Sequence, residues 1–193
     1  MKDCCWNTDD PSMKAYHDEW GTPVHDDAVL FEFLVLEGFQ AGLSWATILH
    51  KKEAFERAFD GFEPERIAAY DETKVESLMA DAGIVRNRLK IRAAIGNAAR
   101  FLEIRREFGS FDRYLWNFVD GRPEVHSLKT YADMPVTTEL SDRISKDLLR
   151  RGFRFVGSTI VYSYLQAMGL VDDHLDDCVR KADLRRAGDV RIR

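Results

Sequence analysis

Four residues at opposite ends of the chain have the types and spacing to hold one metal ion: Cys4 and His17 near the start, His174 and Cys178 near the end. Two thiolates and two imidazoles make the closed tetrahedral set of a structural zinc site, with no position left for a reacting water. His174 and Cys178 are four residues apart, which on a helix puts them on one face. The set works only if the fold brings both ends together, and the clip then closes a loop of nearly the whole chain. Spacing leaves a second reading open, in which each cysteine is a small buried hydrophobe and each histidine packs or meets solvent.

A second group centres on Glu37, in the stretch Leu36-Glu37-Gly38-Phe39-Gln40-Ala41-Gly42-Leu43-Ser44-Trp45. A carboxylate among aromatic rings can accept from an exocyclic amine and favour a cationic ring. Tyr16, Trp45, Trp6 and Trp20 could supply the stacking walls that a flipped base requires. Gly38 and Gly42 leave room for a flat ligand. The alternative is a Glu37 paired with a buried arginine and a tryptophan that only packs. Tyr16 adjoins His17, so metal binding would fix a pocket residue, and Asp18 is a candidate acceptor for an imidazole N–H.

The third group is Arg150-Arg151-Gly152-Phe153-Arg154-Phe155-Val156-Gly157, between two helical patterns. It reads as a helix–hairpin–helix over about 139–168. Free backbone N–H groups where the second helix opens can hold a DNA phosphate without sequence preference. Arg150, Arg151 and Arg154 could add ion pairs, with Gly152 and Gly157 shaping the turn. A plain helical hairpin with a glycine cap has the same pattern. Serine-hydrolase, zinc-protease and P-loop signatures are absent from the sequence.

The elements that must position these groups are helical almost throughout, with no convincing period-2 strand. Asp26 or Asp27 caps a helix carrying Leu30, Phe31, Leu34 and Val35, broken near Gly42. Ser44 caps the next, with Ile48, Leu49, Phe55 and Phe59 inward. Pro64 opens a short helix to Tyr70, and another covers about 73–82. A long helix starts near Asn87 and ends by Gly109. Ser110 caps an aromatic-rich one. Residues 119–137, with Gly121, Pro123 and Pro135, read as a surface loop. Thr138 caps a helix to Arg151, with Leu140, Ile144, Leu148 and Leu149 apolar. The last helix runs from Ser158 to Met168, and 179–193 is a polar tail.

The 193 residues are 45% hydrophobic and 32% charged, ordinary for one all-α domain spanning 1–193. No apolar run reaches membrane-span length, and residues 1–6 lack the apolar core of a signal peptide. Three cysteines argue against a disulfide framework, so a reducing cytoplasm is expected. A net charge of −5 argues against bulk attraction to nucleic acid and leaves local basic faces as candidates: 86–92, and Arg143 with Lys146, Arg150, Arg151 and Arg154.

Taken together, the chain resembles the DNA-3-methyladenine glycosylase I family of the helix–hairpin–helix glycosylase superfamily. The resemblance is carried in order by Cys4-Cys5-Trp6, Asp10-Pro11, Ala15-Tyr16-His17-Asp18-Glu19-Trp20-Gly21, Leu36-Glu37-Gly38, Gln40-Ala41-Gly42-Leu43-Ser44-Trp45, Asp81-Ala82-Gly83-Ile84, Ile95-Gly96-Asn97-Ala98, Arg151-Gly152-Phe153, Phe155-Val156-Gly157, and Gly169-Leu170-Val171 with Asp173-His174. It implies an all-α helix–hairpin–helix domain whose N- and C-terminal segments are joined by one structural zinc on Cys4, His17, His174 and Cys178. It implies that Glu37 recognises the methylated adenine beside Tyr16 and Trp45, and that the 153–157 turn binds DNA. The implied reaction is hydrolysis of the N-glycosidic bond of 3-methyladenine in duplex DNA, by a monomer without lyase activity.

Overall fold

The computed structural model describes residues 8–181 and, for the backbone, 191–192. Their α-helices are α1 (Pro11–Glu19), α2 (Asp27–Gln40), α3 (Trp45–Leu49), α4 (Lys52–Ala58), α5 (Pro64–Ala68), α6 (Glu72–Ala80), α7 (Arg88–Phe108), α8 (Phe111–Trp116), α9 (Glu139–Arg150) and α10 (Ser158–Ala167), with helical residues again at 179–181. The centre is α2. Its residues from Leu30 to Phe39 are apolar on nearly every side and all but Glu32 are buried, and a helix apolar all round belongs inside. It packs on α10, α7, α3 and α8. Tyr164 of α10 donates to the Leu30 carbonyl at 2.9 Å. Asp27 accepts from the Phe111 and Asp112 amides, seating the N-terminus of α8.

The caps follow their residue types. Asp26, Ser44, Asn87, Ser110 and Thr138 each accept from an amide in the first turn of the helix they open. The helix expected over 45–59 is two, α3 and α4, parted at His50–Lys51. Helix α1 was not expected, although Asp10 as N-cap and Pro11 in the first turn are its signature. The strandless expectation also needs correction. Three two-residue strands pair in parallel, β1 (Glu124–Val125) lying between β2 (Val171–Asp172) and β3 (Arg191–Ile192). Two residues are too few to show an alternating pattern.

Two sequence expectations about surfaces change. Leu149, read as inward, is 51% exposed, because it lies about 100° round the helix from Leu148. Of the 86–92 segment Arg86 is exposed, while its other basic residues are engaged. Arg88 pairs with Glu72 and Glu76, and Arg92 with Glu72. Lys90 is buried, donating to the Phe39 and Ala41 carbonyls at 2.8 and 2.6 Å and so completing the C-terminal turn of α2.

The N-terminal segment is stitched to the end of α10. The Gly21 amide donates to the Gln166 carbonyl and the Val24 amide to the Met168 carbonyl, both at 3.1 Å. Gly169, at φ +70°, makes this approach possible: a Cβ there would sit 2.3 Å from the Thr22 carbonyl carbon. Gly169→Ala should therefore cost at least about 3 kcal/mol, strain and overlap together. Exposed Gly96 within α7 is the control, since its alanine meets nothing within 4 Å and should stabilise by about 0.5–1 kcal/mol. Urea unfolding of the two variants measures the contrast, and equal effects would refute it.

Candidate functional site

An open cavity of about 300 Å³ is lined by Met13, Tyr16 and Trp20, by Glu37 and Gln40 of α2, by Trp45 of α3, by Tyr131 and Met134 of the 119–137 connection, and by Ser163 and Gln166 of α10. Tyr16 and Trp45 meet with ring centroids 5.1 Å apart, and Phe33 stacks behind both at 6.2 and 6.0 Å. The sequence-predicted Tyr16, Trp20, Glu37 and Trp45 thus share one pocket. Trp6 lies outside the described residues. Sequence reasoning did not assign Gln40, Gln166, Tyr131 or Met134 to it. Gln40 stood within the quoted motif, whereas the last two come from a connection with no local signal.

Three polar atoms of the lining are buried without a hydrogen-bond partner: Glu37 Oε2, Gln40 Oε1 and Trp45 Nε1. Buried polar groups are nearly always bonded, so these three point to a ligand. Glu37 is 2% exposed, and burial pushes its carboxyl up from 4.5 to about 8. No buried arginine pairs with it among the described residues, which removes the alternative left open by the sequence. Burial, with the charges of Glu37 and Glu19, holds the Tyr16 phenol well above its ordinary value and therefore neutral.

Behind the far wall, Asp173 is fully buried. It accepts from His126 Nδ1 and Gln166 Nε2, each at 2.6 Å, and from the Tyr162 hydroxyl. Burial works to raise its carboxyl, and these three donors outweigh it and hold it below the usual range.

Next to the pocket lie His17, His174 and Cys178, all buried, with their ligand-capable atoms within 4.8 Å of one another. Cys178 Sγ is 3.9 Å from His17 Nε2. His174 Nδ1 and Asp172 Oδ1 are 2.7 Å apart, while His174 Nε2 is buried with no hydrogen-bond partner. An imidazole fixed by a carboxylate on one nitrogen and orphaned on the other fits a metal ligand. Asp172, not Asp18, is the carboxylate on that imidazole; Asp18 is exposed. Cys4 lies outside the described residues. Cys178 is disulfide-bonded, which corrects the expectation of unbridged cysteines. A thiolate freed by reduction can ligate a metal ion. Trp20 joins the two sites, lining the pocket and meeting His174 edge-on at 4.8 Å.

The hairpin between α9 and α10 is held from below. Asn97 exchanges two hydrogen bonds with the Arg154 backbone, at 2.8 and 2.9 Å, and Ser145 donates to the Val156 carbonyl. Gly157 is exposed and opens α10 without a side-chain cap. Asp142 takes the Ser158 hydroxyl, so one acid stands beside that terminus. The arginines divide. Arg151 is committed to the fold, bonding Asp147 at 2.8 Å and Glu107 at 2.6 Å and lying over the Phe108 and Tyr114 rings. Arg150 pairs with Asp147 from an exposed position, and Arg154 is exposed.

The methyladenine glycosylase family model matches residues 6–181. DNA-3-methyladenine glycosylase 1 of Escherichia coli (strain K12) is 48% identical over 179 residues, 92% of this chain and 96% of that protein. A crystal structure of a variant 3-methyladenine DNA glycosylase I in complex with 3-methyladenine superposes with a TM-score of 0.90 at 41% identity, over 94% of this chain and 98% of that one. The 3-methyladenine DNA glycosylase I of Staphylococcus aureus does so with a TM-score of 0.90 at 42% identity, over 94% and 97%.

The raised carboxyl has a thermodynamic consequence. Between pH 4.5 and about 8 the folded chain holds a proton on Glu37 that the unfolded chain has lost, so stability falls as pH rises through that window. Glu37→Gln should be nearly neutral at pH 5. At pH 9 it should be more stable than the parent by about 2 kcal/mol or more, roughly 5 °C in Tm. Melting curves across pH test this, and parallel curves for the two proteins would count against it.

Proposed function

The chain belongs to the methyladenine glycosylase family, and on that premise we propose that it removes 3-methyladenine from alkylated double-stranded DNA. The reaction is hydrolysis of the N-glycosidic bond, leaving an abasic site. The observation that carries this reading is the pocket itself: an aromatic-walled cavity whose lining includes a buried carboxyl and two further unpaired polar atoms.

Methylation at N3 makes the adenine of a nucleotide cationic, and it leaves as a neutral base, so the bond is already weak. A duplex hides that base, and the enzyme must extrude it. Tyr16, Trp20 and Trp45 offer faces to the extruded ring. A cation beside Glu37 favours the carboxylate over the acid, so base entry drives the Glu37 proton off. The resulting ion pair forms at a buried carboxyl, where it is stronger than in water. Helix α10 carries no carboxylate and no lysine. Selectivity and rate then arise from holding the flipped cation rather than from a base acting on water, and no amine there can form a Schiff base. A neutral lesion with a strong glycosidic bond should be a poor substrate.

The hairpin fits phosphate contact through the amides at the start of α10, with Arg154 and Arg150 alongside. Cys4, His17, His174 and Cys178 are the residues that would hold one zinc, whose role is to fix α1 against the 171–178 segment. The reduced protein should then bind one equivalent of zinc, and a chelator should lower both Tm and base release. Full stability and activity in metal-free protein would exclude that role.

The activity is tested by chromatography of bases released from methylated duplex DNA. Wild type should release 3-methyladenine and not 7-methylguanine, and Glu37→Gln should release little of either. Because the carboxylate is the binding form, kcat/KM should climb with pH to an apparent pKa near 8 in wild type and stay flat in the variant. Tight binding of methylated DNA without base release would favour a lesion-binding protein, a reading the acid-free α10 admits.

A further inference from the structure

Building on that function, we propose that Gln166 selects the base by its 6-amino group and that Asp173 is the positioning residue that turns Gln166 to do so. The carboxamide of Gln166 lines the pocket and could in principle present either of two ends, a donor or an acceptor. Its surroundings settle which. Nε2 lies 2.6 Å from Asp173 Oδ2 and 3.4 Å from Met134 Sδ. An amide nitrogen has two hydrogens, and both are taken. The reverse orientation would set the carbonyl against a buried carboxylate that can only accept. Gln166 therefore has only its carbonyl to offer a ligand.

Asp173 is itself fixed. The Tyr162 hydroxyl and His126 Nδ1 hold it from other sides, so the carboxylate keeps its acceptor aimed at Gln166. Elsewhere in the lining Trp45 Nε1 is an unpaired donor, and the other two unpaired atoms are oxygens. Gln40 Oε1 accepts, as does Glu37 once ionised beside a cationic base, and the Ser163 hydroxyl spends its hydrogen on the Thr159 carbonyl.

An acceptor fixed in the lining reads a donor on the ligand. In a 3-methyladenine nucleotide the only N–H donors are the two hydrogens of the 6-amino group, so an acceptor that contacts the base through a hydrogen bond must meet that group. A base without it leaves Gln166 and its neighbours unpaired in a desolvated site, and such sites reject the lacking analogue by large factors.

The experiment compares binding of free 3-methyladenine with that of 3-methylpurine, the same ring without the amine, by quenching of pocket tryptophan fluorescence. Wild type should prefer 3-methyladenine by tenfold or more. Gln166→Met keeps the side-chain length and removes the carbonyl; its preference should shrink at least fivefold. Asp173→Asn, whose amide lets Gln166 turn over, should shrink it similarly while Gln166 remains in place. The ratio is the readout because general damage to the pocket weakens both ligands together. A wild-type preference below threefold overturns the inference. So does an unchanged ratio in Gln166→Met, or in Asp173→Asn should the methionine variant not fold. Failure of wild type to bind 3-methyladenine at all would instead sink the proposed function on which this rests.

Discussion

A carboxyl group on a helix with no polar face is the constraint around which this molecule is arranged. Helix α2 has to be central, because its apolar residues leave no side for solvent, and Glu37 rides inside with it. Burying a lone carboxyl is costly, and burial raises its pKa to about 8, which favours the neutral acid. The helix end next to it is then completed by Lys90, whose ammonium takes the last carbonyls before the chain turns at Gly42 towards Trp45. Helices α7 and α10 flank this arrangement, and the hairpin between α9 and α10 is pinned to α7 through Asn97. The core, the pocket and the α9–α10 hairpin thus meet around one buried acid.

The second organising contact is between the chain's ends. Helix α1 brings Tyr16 to the pocket and His17 to the metal-competent cluster, adjacent residues on a helix pointing to different neighbours. The 171–174 segment answers with Asp172 and His174 for that cluster and Asp173 for Gln166. Three consecutive residues therefore serve two sites, and Trp20 lies between them. Gly169 lets the backbones come close enough for this to happen.

Much of this was legible in residue types. Glu37, Tyr16, Trp20 and Trp45 carry chemistry that their neighbours in sequence make suggestive, and caps such as Ser44, Asn87 and Thr138 announced their helices through local bonds. What could not be read depends on contacts far apart in the chain. Arg88, Arg92 and Arg151 look like free charge until their acidic partners on other elements are known. Tyr131 and Met134 reach the pocket from a connection with no periodicity. The orientation of Gln166 is set by a residue seven positions on, through a turn that a sequence pattern does not encode. The split between α3 and α4 and the two-residue strands fall below the length at which periodicity speaks.

The order in which the pocket's walls are synthesised adds one more consequence. Tyr16, Glu37 and Trp45 are made early, whereas Ser163, Gln166 and the supporting Asp173 and His174 come near the end. A nascent chain halted at residue 150 would own the acid and one aromatic wall but no opposite side, leaving α2 half uncovered where α10 should lie. The aromatic-walled cavity therefore needs α10, the same helix that covers the central one.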